Sequence, residues 1–424
     1  MLQTGLAAQR IAYAASDDVR AVIAGIGRTE DVQFSHDQKR LAIAGFALNR
    51  LLILDVTMGS AADRTPISLT GFLEIVSATF NAPHGVAWID DRTLAVANRE
   101  GQLSIIAVPA GRPKQSPVDV EPLRVFGGGG KDLISTPGSV SVAPVGLGLI
   151  EMLVCNNYAD QVTRHLLDQR DGYAVVASGI LIDKGIQIPD GVARSRSGQW
   201  IAISNYDHQE VFLFRNNDSL NGAAAPQGVL IGVQCPHGMK FSADGKVLLV
   251  ADAGAPFIQI FRSEDGDWTG EHAPSGAIRA VGDIAFARGN YCEGEGGPKG
   301  IDLSRDNRVM VTTCEEQHLA FFDVGDILGA SEPPADHGHN LIEAQHTRDT
   351  IIGYLTAAQT RAEQETAAIR KASQLENDRV RRLMASRSWR LTAPLRWMKT
   401  QLQAMNGKRR RWVRRAAVKS QLRQ

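Results

Sequence analysis

Apolar and polar positions alternate in short runs along most of the chain, and the runs recur in groups. Lys246–Asp252 reads KVLLVAD and Phe257–Phe261 reads FIQIF. Met239-Lys240-Phe241 precedes them, Ser242-Ala243-Asp244-Gly245 supplies an Asp-Gly turn, and a further run near Gly276–Val281 completes the group. Period-two runs of β-branched and aromatic residues between such turns predict antiparallel strands joined by hairpins. The same grammar recurs elsewhere. Arg40–Ala44, Thr93–Ala97, Met152–Cys155, Trp200–Ser204 and Val309–Thr313 fill the second-strand slot. Leu51–Val56, Leu103–Val108, Val162–Leu167, Val211–Arg215 and Leu319–Val324 fill the third.

A short loop opens each group. Its copies are Glu30-Asp31-Val32, Pro83-His84-Gly85, Pro137-Gly138-Ser139, Pro189-Asp190-Gly191, Pro236-His237-Gly238 and Pro298-Lys299-Gly300. Successive copies lie 54, 54, 52, 47 and 62 residues apart. A period near 50 built from short strands signals a stacked or circular array. Four antiparallel strands in each of six units predict an all-β six-bladed propeller over residues 18–325. Ala21–Arg28 aligns with Gly228–Cys235, so the strand over 21–25 is expected to complete the sixth blade, whose other strands lie in Ile301–Val324. Closing the circle this way removes an exposed sheet edge. Two longer connections stand out, Gly127–Lys131 between blades two and three and Ala285–Gly297 between blades five and six.

Charge divides the chain. Residues 351–424 hold 18 Lys/Arg and 4 Asp/Glu, while the rest holds 28 and 42, so a net charge of zero hides a basic tail on an acidic body. Such asymmetry implies an anionic partner for the tail. The four cysteines, Cys155, Cys235, Cys292 and Cys314, sit in different repeats without metal-type spacing, which suits free thiols. No sustained apolar signal region opens the chain, and no run reaches the length of a spanning helix.

After Pro333-Pro334 the strand pattern ends. Residues 326–338 are expected to be a linker. Over 339–385, Ile351, Leu355, Ala358, Ala362, Ile369, Ala372, Val380 and Leu383 keep mostly three-and-four spacing, which predicts a C-terminal α-helical extension or short coiled coil. Residues 386–424 interleave cations with large apolar side chains: Arg387, Trp389, Arg390, Leu391, Leu395, Arg396, Trp397, Arg409, Arg410, Arg411 and Trp412. That composition describes a segment lying on an anionic membrane surface. Lys/Arg clusters with aromatics also serve nucleic acid, a less favoured partner here. Folding back onto the acidic body is a third possibility.

Residues 18–325 resemble six-bladed propellers of the NHL, lactonase-like and YncE-like kinds. The resemblance implies that the residue before each loop glycine faces the central channel. The ring then reads Glu30, His84, Gly138, Asp190, His237, Lys299, with Glu30 opposite Asp190, His84 opposite His237 and Gly138 opposite Lys299. Two imidazoles and two carboxylates at one place form a donor set for a divalent metal ion. Lys299 would orient an anionic ligand and Gly138 would leave it room. Lactonase-like propellers hold a divalent ion here with an acid and Asn/Asp; Glu30 and Asp190 match, but histidines stand where asparagines are expected. The run from Ser386 to Arg396, SRSWRLTAPLR, resembles the tail of bacterial glycosyltransferases and methyltransferases of surface-polysaccharide synthesis. That resemblance implies work beside such proteins at the cytoplasmic face of the inner membrane.

Three readings follow: a ligand- or partner-binding propeller in polysaccharide assembly, a metal-dependent hydrolase or lyase acting on a sugar-derived substrate, and a nucleic-acid-associated scaffold. Other signals read as structural. Asn98, Asn156, Asn205 and Asp252 end second strands and suit turns. Gly127–Lys131 lacks phosphate-loop spacing. Glu293 and Glu295, near Cys292, suit a solvated loop, with a cover for the channel mouth as the less favoured alternative. No nucleophile-elbow sequence occurs.

Overall fold

The second strand of each blade is largely apolar on both faces because it is buried between two neighbours; Glu151 of blade 3 is a charged exception, paired with Arg164 and Arg194. In the computed structural model Leu41 and Ile43 pack toward blade 6, while Ala42 and Ala44 pack toward blade 2. Six hydrophobic clusters result, one at each seam between successive blades. Near-continuous apolar runs, rather than strict alternation, are what two-sided burial demands.

The structure describes residues 8–329, apart from 60–65, 112–115, 128–132, 218–219 and 290–293, together with Gly353, Thr356, Ala367, Arg370 and Lys371 in helical backbone. The chain divides into Met1–Gln359 and Thr360–Gln424. The expected linker beyond 329, most of the expected helix over 339–385, the basic tail and the centre of Gly127–Lys131 lie outside the described residues. No described helix is long and apolar enough to cross a membrane.

Six sheets surround one axis, and each runs from an inner strand outward. Blade 1 comprises Thr29–Phe34, Arg40–Gly45, Arg50–Met58 and Ile67–Val76; blade 2 comprises Pro83–Asp90, Thr93–Asn98, Leu103–Ala107 and Pro122–Phe126. Blade 3 comprises Pro137–Gly146, Leu149–Asn156, Gln161–Asp168 and Ala174–Ile182; blade 4 comprises Val192–Arg194, Trp200–Asn205, Glu210–Arg215 and Gly228–Leu230. Blade 5 comprises Pro236–Phe241, Val247–Asp252, Phe257–Arg262 and Gly276–Arg279. Blade 6 comprises Ile301–Leu303, Val309–Thr312 and Ala320–Asp323, completed by Gln9–Ile11 from the start of the chain.

The closing strand is therefore not the expected one. Gln9–Ile11 pairs antiparallel with Phe321–Asp323. Residues 21–25 lie in a helix, Asp17–Gly25. Ser16 caps it by accepting from the Val19 N–H, and Asp17 and Asp18 stand in its first turn. Val19 and Ile23, four apart, bury one face at the blade 6–blade 1 seam. A capped amphipathic helix outcompetes the strand propensity of AVIAGI, because the Ser16 cap, the acidic first turn and the buried Val19–Ile23 face all favour helix.

The loop glycines are steric necessities. A Cβ on Gly300 would lie 2.6 Å from the Cα of Asp31, and one on Gly191 would lie 1.9 Å from the His237 carbonyl oxygen. At the seams that carry a glycine, the inner strands approach too closely for a side chain aimed at the next blade. Where the glycine is replaced, the side chain itself bridges the gap: Asp31 accepts from the Val86 N–H at 2.9 Å and Ser139 from the Val192 N–H at 3.4 Å. At the final seam Asp302 accepts from the Phe34 N–H at 2.8 Å, tying blade 6 to blade 1. Gly300→Ala is expected to cost about 1–3 kcal/mol of stability by urea denaturation, because backbone must move. Gly276→Ala, whose Cβ would meet only the Ile260 side chain at 3.7 Å, is expected to stay within about 0.5 kcal/mol of the native protein.

Candidate functional site

Each inner strand begins at the same end of the axis, and a repeated device sets where. The last residue of the second strand grips the loop three residues before the ring position. Asn98, Asn156 and Asn205 accept from the backbone N–H groups of Asn81, Ser135 and Gln187 at 3.2, 2.8 and 2.8 Å. Asp252 accepts from Gln234 and Cys235 at 3.1 and 2.9 Å. The turn reading of these four residues therefore has a purpose: they fix the loops that carry His84, Gly138, Asp190 and His237.

Glu30, His84, Asp190, His237 and Lys299 converge and are buried. The rings of His84 and His237 stack with centroids 5.1 Å apart at 23°. His237 Nε2 lies 3.1 Å from Asp190 Oδ2 and 3.3 Å from Glu30 Oε2. His84 Nε2 lies 3.5 Å from Glu30 Oε2 and 3.8 Å from Asp190 Oδ1. Lys299 Nζ stands 3.5 Å from Glu30 Oε2.

Gly138 does not leave room for a ligand. A Cβ there would fall 1.8 Å from Asn157 Oδ1, so the Asn157 side chain fills the third blade's place in the ring. Its amide donates to Asp190 Oδ1. The Gly138 carbonyl accepts from His84 Nδ1 at 3.0 Å.

Four further groups complete the site. Arg28 pairs with Glu30 Oε1. Arg99 Nη2 donates to Asp190 Oδ1 at 2.7 Å and to His84 Nε2 at 2.5 Å. Glu295 accepts from Lys299 Nζ at 2.6 Å and from the Tyr206 hydroxyl at 2.5 Å. Glu295 thus belongs to the site rather than to a solvated loop; Cys292 and Glu293 lie outside the described residues. Cys155, Cys235 and Cys314 are free thiols. Arg99, Asn157 and Tyr206 each directly follow a second-strand asparagine, so the repeat alignment contained the signal that places them here.

The protonation pattern follows from donors and acceptors. A carbonyl only accepts and a guanidinium only donates, so His84 carries its proton on Nδ1 and is neutral. Burial first, then the Arg99 charge, hold its pKa well below the usual value of 6.5. Burial pushes the Glu30 and Asp190 carboxyls up, but the surrounding cations and histidines prevail and hold both well below their ordinary values. Burial lowers Lys299, yet Glu30 and Glu295 together raise it. Three cations, Arg28, Arg99 and Lys299, thus meet three carboxylates, Glu30, Asp190 and Glu295.

Glu30, His84 and His237 present donor atoms close enough together to hold a metal ion. Zinc bonds of about 2.1 Å in a tetrahedron place ligand atoms about 3.4 Å apart, close to the separations above. The Arg99 guanidinium, however, occupies the His84 Nε2 lone pair, and three cations already neutralise the acids. A metal at these residues has to displace Arg99.

The chain matches no protein-family model and no curated protein.

Two predictions follow from the charge balance. Arg99→Met leaves Asp190 short of its cation in a buried site and is expected to cost about 3–5 kcal/mol in chemical denaturation. The second concerns pH. Neutral His84 contributes stability fully present above 6.5 and lost as pH falls below it, since the unfolded chain then binds the proton. Asp31 does the opposite: burial raises its pKa to about 7, so the folded chain takes up a proton first and gains stability as pH falls from 7 toward 3.8. Between about pH 6.5 and 4.5 the two effects oppose each other. Asp31→Asn should therefore lose stability on acidification over that window, and His84→Asn should gain it, as read from urea midpoints at the two ends. Parallel slopes for both variants would contradict the assignment.

Proposed function

We propose that the protein is a binding propeller whose central channel takes a polar, hydroxyl-rich small molecule or chain end. One observation carries this reading. A cavity of about 710 Å³ extends from the ring along the inner strands to the first hairpins. That volume lies within the range of about 300–1,000 Å³ typical of small-molecule sites. Its wall is polar on three sides: Asp31 and Gln33 from blade 1, Ser139 and Ser141 from blade 3, and the Lys240–Asp302 pair, 2.6 Å apart, from blades 5 and 6. Blade 2 adds Val86 and Trp88, and blade 4 adds Val192, Ala193 and Arg194. Donors and acceptors spread around the channel, with an indole among them, suit a carbohydrate better than an apolar ligand.

The finer setting is proposed from the sequence. The Trp-bearing basic tail and the SRSWRLTAPLR run support work at the cytoplasmic face of a bacterial inner membrane, beside proteins of surface-polysaccharide synthesis. The tail's partner in this reading is the anionic membrane surface, and nucleic acid is the weaker alternative.

Saturation-transfer NMR with a panel of neutral and acidic mono- and disaccharides tests the channel. Wild-type protein is expected to give contact signals that Ser141→Trp, which fills the channel, abolishes. Signals that survive the substitution, or none for any sugar, would defeat the channel reading. Sedimentation with anionic vesicles, with and without residues 386–424, tests the tail: binding is expected to need the tail, and equal binding without it would refute membrane attachment.

A second reading, a metal-dependent hydrolase or lyase, is favoured by the spacing of Glu30, His84 and His237. Calorimetric titration with Zn²⁺ separates the two. The binding reading predicts no heat that depends on both histidines, whereas stoichiometric binding lost in His84→Ala/His237→Ala would favour the enzyme.

A further inference from the structure

The ring has a second end, opposite the channel. Inner strands run from the ring to the first hairpins, and second strands run back. The connections after the second strands, which carry Arg99, Asn157 and Tyr206, therefore stand at the ring's outer end, and none of the three lines the channel.

Glu295 occupies this end, but it comes from neither an inner strand nor a second-strand connection. It lies in the connection between blades 5 and 6, after the short helix Asp283–Arg288. That connection is anchored immediately beyond Glu295. The Gly297 N–H donates to the Ala253 carbonyl at 2.8 Å. A Cβ on Gly297 would lie 2.2 Å from the Ala255 carbonyl oxygen. The anchor delivers the Glu295 carboxylate to two donors that converge from different blades, Lys299 Nζ and the Tyr206 hydroxyl. Lys299 is 1% exposed, whereas Glu295 is 12% exposed, so the carboxylate sits between a buried cation and the outside.

We propose that Lys299 and Tyr206 form a carboxylate-binding pocket at the outer end of the ring, filled in this structure by the chain's own Glu295. Lys299 Nζ stands 3.5 Å from Glu30 but 2.6 Å from Glu295, so Glu295 is the nearer carboxylate of this buried ammonium. A buried ammonium with a phenolic hydroxyl beside it presents two donors to the two oxygens of one carboxylate, and such charge-assisted bonds are the strong class. A carboxylate carried by a ligand satisfies the same two donors once the Glu295 side chain swings out. The pocket is separate from the channel, so its failure leaves the channel reading untouched.

Chemical rescue of the full-length chain tests this. Glu295→Ala is expected to melt well below the wild type in chloride. Acetate at equal ionic strength should restore most of the loss, saturably, and phosphate should restore less. Adding Tyr206→Phe should weaken the acetate effect several-fold, and wild-type protein, with Glu295 in place, should respond little. Identical melting of Glu295→Ala in acetate and chloride would overturn the proposal, as would equal rescue by acetate in the wild type. Should Glu295→Ala not accumulate in chloride, refolding gives the same answer: recovery in acetate alone supports the pocket, and recovery in neither salt overturns it.

Discussion

Six inner strands converge on one axis so closely that neighbouring backbones touch, and the rest of the molecule follows from that contact. At the ring, the Cα of one blade's loop residue abuts the backbone of the next, as Gly300 does at Asp31. Glycine is the residue that permits such an approach. Where it is absent, the side chain must itself bond the neighbouring N–H, as Asp31 and Ser139 do. The contact buries whatever side chains precede it, and five of those six are polar or charged. A buried site tolerates charge only when the charges are matched.

The matching is what gives the centre its character. Arg99 reaches in from blade 2's outer loop to serve both Asp190 and His84. Arg28 serves Glu30, and Lys299 is shared between Glu30 and Glu295. The result is a plug that divides the axis into a polar channel on one side and an outer end rimmed by connections on the other. The donor set would suit a metal ion by spacing alone, yet the protein supplies its own cation at the position where a metal would bond. A site of this kind specifies how blades align, because a shift in any loop would strand a buried charge.

Much of this was legible in the sequence because it repeats. The six loops and the largely apolar second strands recur with one period, and a repeated local signal averages out individual ambiguities. Ring membership of Glu30, His84, Asp190, His237 and Lys299 came from the resemblance to six-bladed propellers, applied to the register of the six loops. The failures lie where the chain breaks its own period. The closing strand was placed at 21–25 because AVIAGI aligns with a strand elsewhere, although Ser16-Asp17-Asp18 announced a helix start. Asn157 took the space beside Gly138 because a neighbouring connection, not the loop itself, supplies that side chain. Arg99 and Tyr206 were marked only by their place after a second-strand asparagine, whereas Glu295 has no counterpart in the other repeats and acquires its role only when the blades close the circle.

The charge-matched ring rests most directly on the state of His84. Long-range ¹H–¹⁵N correlation NMR, recorded between about pH 5 and 8, reports which imidazole nitrogen holds the proton. The account predicts one neutral His84 species protonated at Nδ1 throughout, with Nε2 accepting a hydrogen bond and no titration near 6.5. A His84 that is protonated at Nε2, or that becomes an imidazolium within that range, would contradict it.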